Sequence, residues 1–187
     1  MFEFQPHLKG ELLAMRPYRP EDWDALLAAA SDALIWDQHP IHGEWREDVF
    51  RASIDRALAD QGGLVAIDLV SRKIVGFSRY STLNVEPGEI EIGWTFLARS
   101  HWGGPCNRDM KRMMLAHALA TWPVVIFRIG VHNLRSRRAM EKIGGKLMDR
   151  TQVVNVSGAE HLHVCYAITR HSFASSDLFA GQQRVTG

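Results

Sequence analysis

The segment from Glu89 to Val131 constrains the chain most. It reads as a strand (Glu89 to Leu97), a loop (Arg99 to Asn107), a helix from Arg108 to about Ala120, and a β-branched strand (Val124 to Val131). A helix between two strands is a crossover, and a crossover sets its strands parallel. Upstream, Glu11 to Arg19 predicts a strand ending at Pro20. Pro20-Glu21-Asp22 then opens a helix, because proline suits the first turn and acids suit the positive end. A second helix is expected over Glu44 to Asp60, ended by Gly62-Gly63. Strands follow over Leu64 to Val70 and Lys73 to Leu83. Downstream, Leu134 to Ile143 predicts a helix stopped by Gly144-Gly145. Lys146 to Val156 and His161 to Thr169 predict a terminal hairpin. The class is α/β of the α+β kind, a mixed sheet flanked by helices.

At 187 residues a single domain is expected over 1–187, with its core at about 10–170 and a loose tail over 171–187. Lys plus Arg is 22 and Asp plus Glu is 21, a net charge of +1. That balance argues against a generic nucleic-acid binder or a polybasic membrane binder. No apolar run is long enough for a membrane span. Cys106 and Cys165 form neither a zinc pattern nor a disulfide framework. No secretory signal is visible at the N-terminus, so a cytoplasmic setting is expected. His39 and His42 have ligand spacing but no third partner, and no metal is expected.

Two helix starts carry unusual charge. Asn107 is a candidate N-cap, and Arg108, Lys111 and Arg112 fill the next turns. Asn133 is a second candidate cap, followed by Arg135, Arg137 and Arg138. Cations there oppose the helix dipole, and a phosphate at the helix start would offset that cost. Gly103 and Gly104 would let the backbone approach such a ligand. The alternative is a solvated basic face, with Asp109 and Glu141 neutralising much of it.

On the strand upstream, period 2 places Glu89, Glu91, Gly93 and Thr95 on one face and Ile90, Ile92, Trp94 and Phe96 on the other. Two carboxylates on one face suit general-base chemistry, because each raises the other's pKa. The alternative is a solvated acidic face. Trp36, His39, His42 and Trp45 form an aromatic and imidazole group that would suit an amine, or else a packing cluster. His161 and His163 share one strand face and are expected at the surface.

Taken in order, these segments resemble the GNAT superfamily of acyl-CoA-dependent N-acetyltransferases, and within it the branch of ribosomal-protein alanine N-acetyltransferases. Glu-Ile-Gly at 91–93 resembles that branch's fourth strand. His101-Trp-Gly-Gly-Pro-Cys-Asn107 stands where the pyrophosphate loop belongs. Asn133-Leu-Arg-Ser136 and Ala139 to Gly145 resemble its next motif. The Leu13 to Leu26 opening and Ile74-Val-Gly-Phe-Ser-Arg79 also fit. The resemblance implies a GNAT fold whose fourth and fifth strands splay to admit acetyl-CoA. It implies direct transfer to a primary amine, of a small molecule or a protein N-terminus, with no metal.

By the same resemblance Glu91 is the base, with Glu89 in reserve, and Ser136 is the proton donor near the CoA sulfur. Trp102, Gly103, Gly104, Cys106, Asn107, Arg108, Lys111, Asn133, Arg135 and Arg138 would hold the cofactor. Trp36, His39 and Arg79 would line the acceptor pocket. A homodimer is a family-level expectation. Two departures stand out. Pro105 replaces the loop's middle glycine and removes an N–H. Met140 stands where many members carry an acidic tyrosine. They motivate a second reading, a CoA-binding scaffold without catalysis, while the two basic helix starts motivate a third, a module for another phosphate ligand.

Overall fold

The computed structural model describes residues 1–39, 43, 45–156, 159–176 and 178. Among the described residues, eight strands and five α-helices form two units.

The first unit comprises Met1–Asp37, Ile41–Ser81 and Ile92–Met113. Its strands are β1 (Leu8–Lys9), β2 (Leu13–Pro17), β3 (Leu64–Asp68), β4 (Ile74–Ser81) and the C-terminal part of β5 (Glu89–Leu97). β1 to β4 pair antiparallel in sequence order. The end of β5 lies beside β4, where Ser78 and Thr95 hydroxyls share a hydrogen bond of 2.7 Å. Gly76 makes that approach feasible, because a Cβ there would stand 2.4 Å from the Phe96 carbonyl oxygen. After a 3₁₀ turn at Pro20–Asp22 comes α1 (Trp23–Ala30), and later α2 (Glu47–Ala59). Their apolar stripes place Leu26, Ala30, Phe50 and Ile54 against Val65, Phe77 and Phe96. Each buried ring contributes about 2 kcal/mol by leaving water.

The second unit comprises Gln38–Pro40, Thr82–Glu91 and Met114–Gly187. The first residues of β5 pair parallel with β6 (Val124–Gly130), as the crossover demanded. β6 pairs antiparallel with β8 (Ala159–Thr169), and β8 with β7 (Lys146–Val156). α4 (Leu134–Lys142) follows β6. The crossover helix α3 (Cys106–Thr121) begins in the first unit and ends in the second.

Three expectations need correction. α3 begins at Cys106, where the Pro105 carbonyl accepts the Asp109 N–H at 2.9 Å, so Asn107 lies inside the first turn and is not the cap. Trp94 does not join the isoleucine face. Its φ is +52°, which breaks the extended backbone, and its ring is 40% exposed beneath the Arg79 guanidinium at 4.7 Å. The chain after β8 is not loose at once. Thr169 and Ser172 form a capping box for a short α5 (Arg170–Ala174), and Phe173 is buried. Residues 179–187 of the expected tail lie outside the described residues, as does His42.

Candidate active site

In the first unit, the segment after β5 makes a 3₁₀ turn at Arg99–His101 and enters α3. Trp102 anchors it through an indole N–H to the Leu97 carbonyl at 2.8 Å. Gly103 has a φ of +70°, a conformation that favours glycine. No atom lies within 4 Å of where a Cβ would stand on Gly103 or Gly104. The backbone there is open to a ligand. The first turn of an α-helix leaves its leading N–H groups without an intrahelical partner. In α3 those groups belong to Cys106, Asn107 and Arg108, and Arg108 is exposed. Pro105 stands at the cap position before them, and as a proline it lacks the fourth N–H that a helix start ordinarily offers.

The other charges near this helix have specific partners. Lys111 is buried and donates to the Thr95 hydroxyl at 2.7 Å. Asp109 accepts the backbone N–H groups of Glu11, Leu12 and Leu13 at 3.1, 2.9 and 3.0 Å, and a 2.8 Å bond from Arg112. Burial works against the Asp109 charge, but Arg112 and those three N–H groups outweigh it. They hold the carboxyl below its ordinary range. Arg79 is fully buried. It pairs with Asp60 and donates to the Ala57 carbonyl at 2.9 Å, closing the end of α2. Trp36 is a core residue whose indole donates to the Ala30 carbonyl at 2.8 Å.

In the second unit, Glu89 and Glu91 are 7% and 3% exposed, which overturns the solvated acidic face. Nor do the two carboxylates face only each other. Glu91 pairs with Arg128, which also reaches the Gln152 side chain at 2.7 Å and the Leu83 carbonyl at 3.0 Å. Glu89 pairs with Arg150 at 2.9 Å and accepts the Glu86 N–H at 3.1 Å. Buried carboxylates need such partners, since an unpaired one costs several kcal/mol or more. Burial works against the Arg128 charge, and Glu91 outweighs it, holding the guanidinium above its ordinary range.

Arg128 and Arg150 escaped the sequence reading. A charged residue inside Val-Val-Ile-Phe-Arg-Ile-Gly was the available signal for Arg128. Strand register places Cys165 opposite Arg128, and His163 opposite both Gly130 and Gln152. His163 is half-buried, not a surface residue.

α4 begins as predicted. Asn133 is buried and its side chain accepts the Ser136 N–H at 3.0 Å. The Arg135 N–H donates to the Gln38 side chain at 3.1 Å, and Arg138 is exposed. Met140 is buried and carries no acidic proton. Among the described residues no group of three metal-ligating side chains comes together.

A family profile described as an acetyltransferase (GNAT) domain matches residues 13–146. The chain belongs to the GNAT family. The fold has many solved GNAT counterparts. A GCN5-related N-acetyltransferase from Brucella melitensis superposes with a TM-score of 0.80 at 17% identity, covering 97% of this chain and 88% of that one. RimJ from Mycobacterium smegmatis, solved with CoA-disulfide, gives 0.70 at 17% identity over 97% and 92%. Spermidine N-acetyltransferase from Vibrio cholerae, solved with CoA and spermine, gives 0.65 at 14% identity over 87% and 98%. At these identities the likeness is one of GNAT fold. A search of curated proteins found no match.

Proposed function

We propose that this GNAT protein is an acetyl-CoA-dependent N-acetyltransferase acting as a single domain on a primary amine, of a small molecule or a protein N-terminus. The observation that carries the reading is Glu91, a buried carboxylate on β5 within the family-matched segment. The opening of α3 supports the cofactor. Backbone N–H groups of Cys106, Asn107 and Arg108, approached past Gly103 and Gly104, suit a pyrophosphate. Arg108 and Trp102 would flank it, and Lys111 would act through its bond to Thr95. Asn133, Arg135 and Arg138 at the start of α4 would contact the remainder of the cofactor.

In the reaction an ammonium first loses a proton, with assistance from the Glu91 carboxylate and Glu89 in reserve. The amine then attacks the thioester carbonyl, the N–C bond forms and the C–S bond breaks. As the adduct collapses the nitrogen gives up its second proton, which reaches the thiolate by way of Ser136 or water, so that Ser136 ends as it began. No covalent enzyme intermediate is required. His39 and Trp36 are proposed on the acceptor side. The relatives solved with CoA and with spermine are consistent with this chemistry. Membership of the alanine N-acetyltransferase branch, a cytoplasmic location and a homodimer belong to the same proposal.

The test incubates the protein with acetyl-CoA and a panel of polyamines, amino sugars and alanine- or serine-starting peptides, following thiol release and product mass. A gain of one acetyl group on any amine is the expected result. Acetyl-CoA binding without any product across the panel would favour the CoA-binding scaffold.

A further inference from the structure

The second unit holds a titratable group that the proposed mechanism has not used. Glu91 stands at the base position, yet its carboxylate is already engaged by Arg128. An ion-paired carboxylate commits lone pairs to the guanidinium and is held in one orientation by it. His163 lies on β8, two strands along from β5. Register places it on the sheet face of Glu91. Glu91 pairs with Ile126 on β6, and Ile126 is opposite Ala167. Two-residue steps then lead from Ile126 to Arg128 and Gly130, and from Ala167 to Cys165 and His163.

The His163 ring has a fixed orientation. Its Nδ1 is 3.1 Å from the His161 backbone carbonyl. A carbonyl oxygen only accepts, so Nδ1 carries the hydrogen and Nε2 carries the lone pair. Among the described residues Nε2 has no hydrogen-bond partner.

We infer that the acceptor ammonium delivers its proton to Nε2 of His163, directly or through one water, while the Glu91–Arg128 pair orients it. This rests on the proposed amine acetylation. The ammonium gives one proton to Nε2, and the imidazole becomes imidazolium. The free amine attacks the thioester, its second proton passes by way of Ser136 or water to the departing thiolate, and the imidazolium returns its proton to solvent.

The surroundings keep the ring neutral and ready. Burial comes first in lowering the His163 pKa below its usual 6.5, and the positive potential of His39 and His161 adds to it. Glu91 and the His161 carbonyl act in the opposite direction. Among the described residues the other charged or titratable groups along this face are Arg128 on β6, Cys165 on β8, Arg150 on β7 with its partner Glu89, and Lys146 on β7 opposite Ala167.

Two measurements test the inference. The first is the ¹⁵N spectrum of the ring, assigned by difference against H163Q, and it needs no acceptor. It should show the Nδ1–H tautomer and a midpoint below about 6.5. An Nε2–H tautomer or a higher midpoint would overturn the assignment. The second is the pH profile of kcat/KM on an amine that the wild-type protein acetylates. The wild type should lose activity below the His163 midpoint with a slope of one proton. H163Q should fall about 100-fold or more in kcat and lose that limb. E91Q should retain the limb and move it to lower pH, because Glu91 raises the His163 pKa. A raised KM in H163Q with an unchanged limb would make His163 a structural residue and overturn the inference. No product with any amine from the wild-type protein would instead overturn the acetylation reading itself.

Discussion

Asp109 holds residues 11–13 to α3 through three backbone N–H groups, and its charge depends on pH. Its folded pKa is depressed, so its stabilisation is fully present above the ordinary carboxylate range. That stabilisation is lost as pH falls through the folded value. Asp109→Ala should destabilise the protein at pH 7 by about 3 kcal/mol, since it strands buried N–H donors and Arg112. The penalty should shrink as pH drops below about 4. Urea midpoints for both proteins at pH 7 and pH 3 check both statements, and an equal penalty at the two values would refute the charge argument. At the carboxylate proposed to act on the amine, Glu91→Gln should lower kcat at pH 8 while acetyl-CoA affinity stays within about twofold, as measured by titration calorimetry. Turnover equal to wild type would remove Glu91 from the mechanism. The sequence marked Glu89, Glu91 and Asn133 by residue type and period. It could not mark Arg150, whose carboxylate partner is distant in the chain, or the commitment of Arg79 to Asp60 and Ala57. Such pairings are decided by side-chain reach across strands and helices, which local spacing does not encode.

Elements were legible where a long pattern met a clear stop. β5 and β7 match their predicted bounds, and α4 starts after Asn133 as expected. The two-residue β1 and the five-residue α5 were not predicted, because neither is long enough to repeat a hydrophobic period. The start of α3 was misplaced because Pro105 and Asn107 are both plausible boundary residues, and only the Asp109 to Pro105 bond decides between them. Within β5, alternation failed at Trp94 because the positive φ turns its ring outward. The Asn133 cap gives a prediction at this scale. Asn133→Ala leaves the Ser136 N–H without its acceptor and should cost about 1 kcal/mol, whereas Asn133→Asp should retain the cap. Thermal unfolding of the three proteins checks the order, and equal midpoints for Asp and Ala would show that the cap contributes nothing.

At the scale of the whole molecule, a net charge of +1 gives no general attraction for polyanions. Stabilisation by a phosphate-bearing ligand therefore has to come from built contacts, and linkage makes it measurable. A ligand that binds only the folded chain at about 100 times its Kd adds about 2.7 kcal/mol. For a protein of this size that corresponds to roughly 5–10 °C in the unfolding midpoint. Acetyl-CoA should produce such a shift and ATP, at equal concentration, should not. Both carry phosphates and adenine, so a shift with both would point to the phosphate-module reading instead. Pro105→Ala distinguishes the role of the loop. The α3 donors begin after Pro105, so the variant should bind acetyl-CoA with affinity within about threefold of wild type. A tenfold gain would mean that the proline was withholding a donor the cofactor needs, and the pyrophosphate position would move one residue toward Gly104.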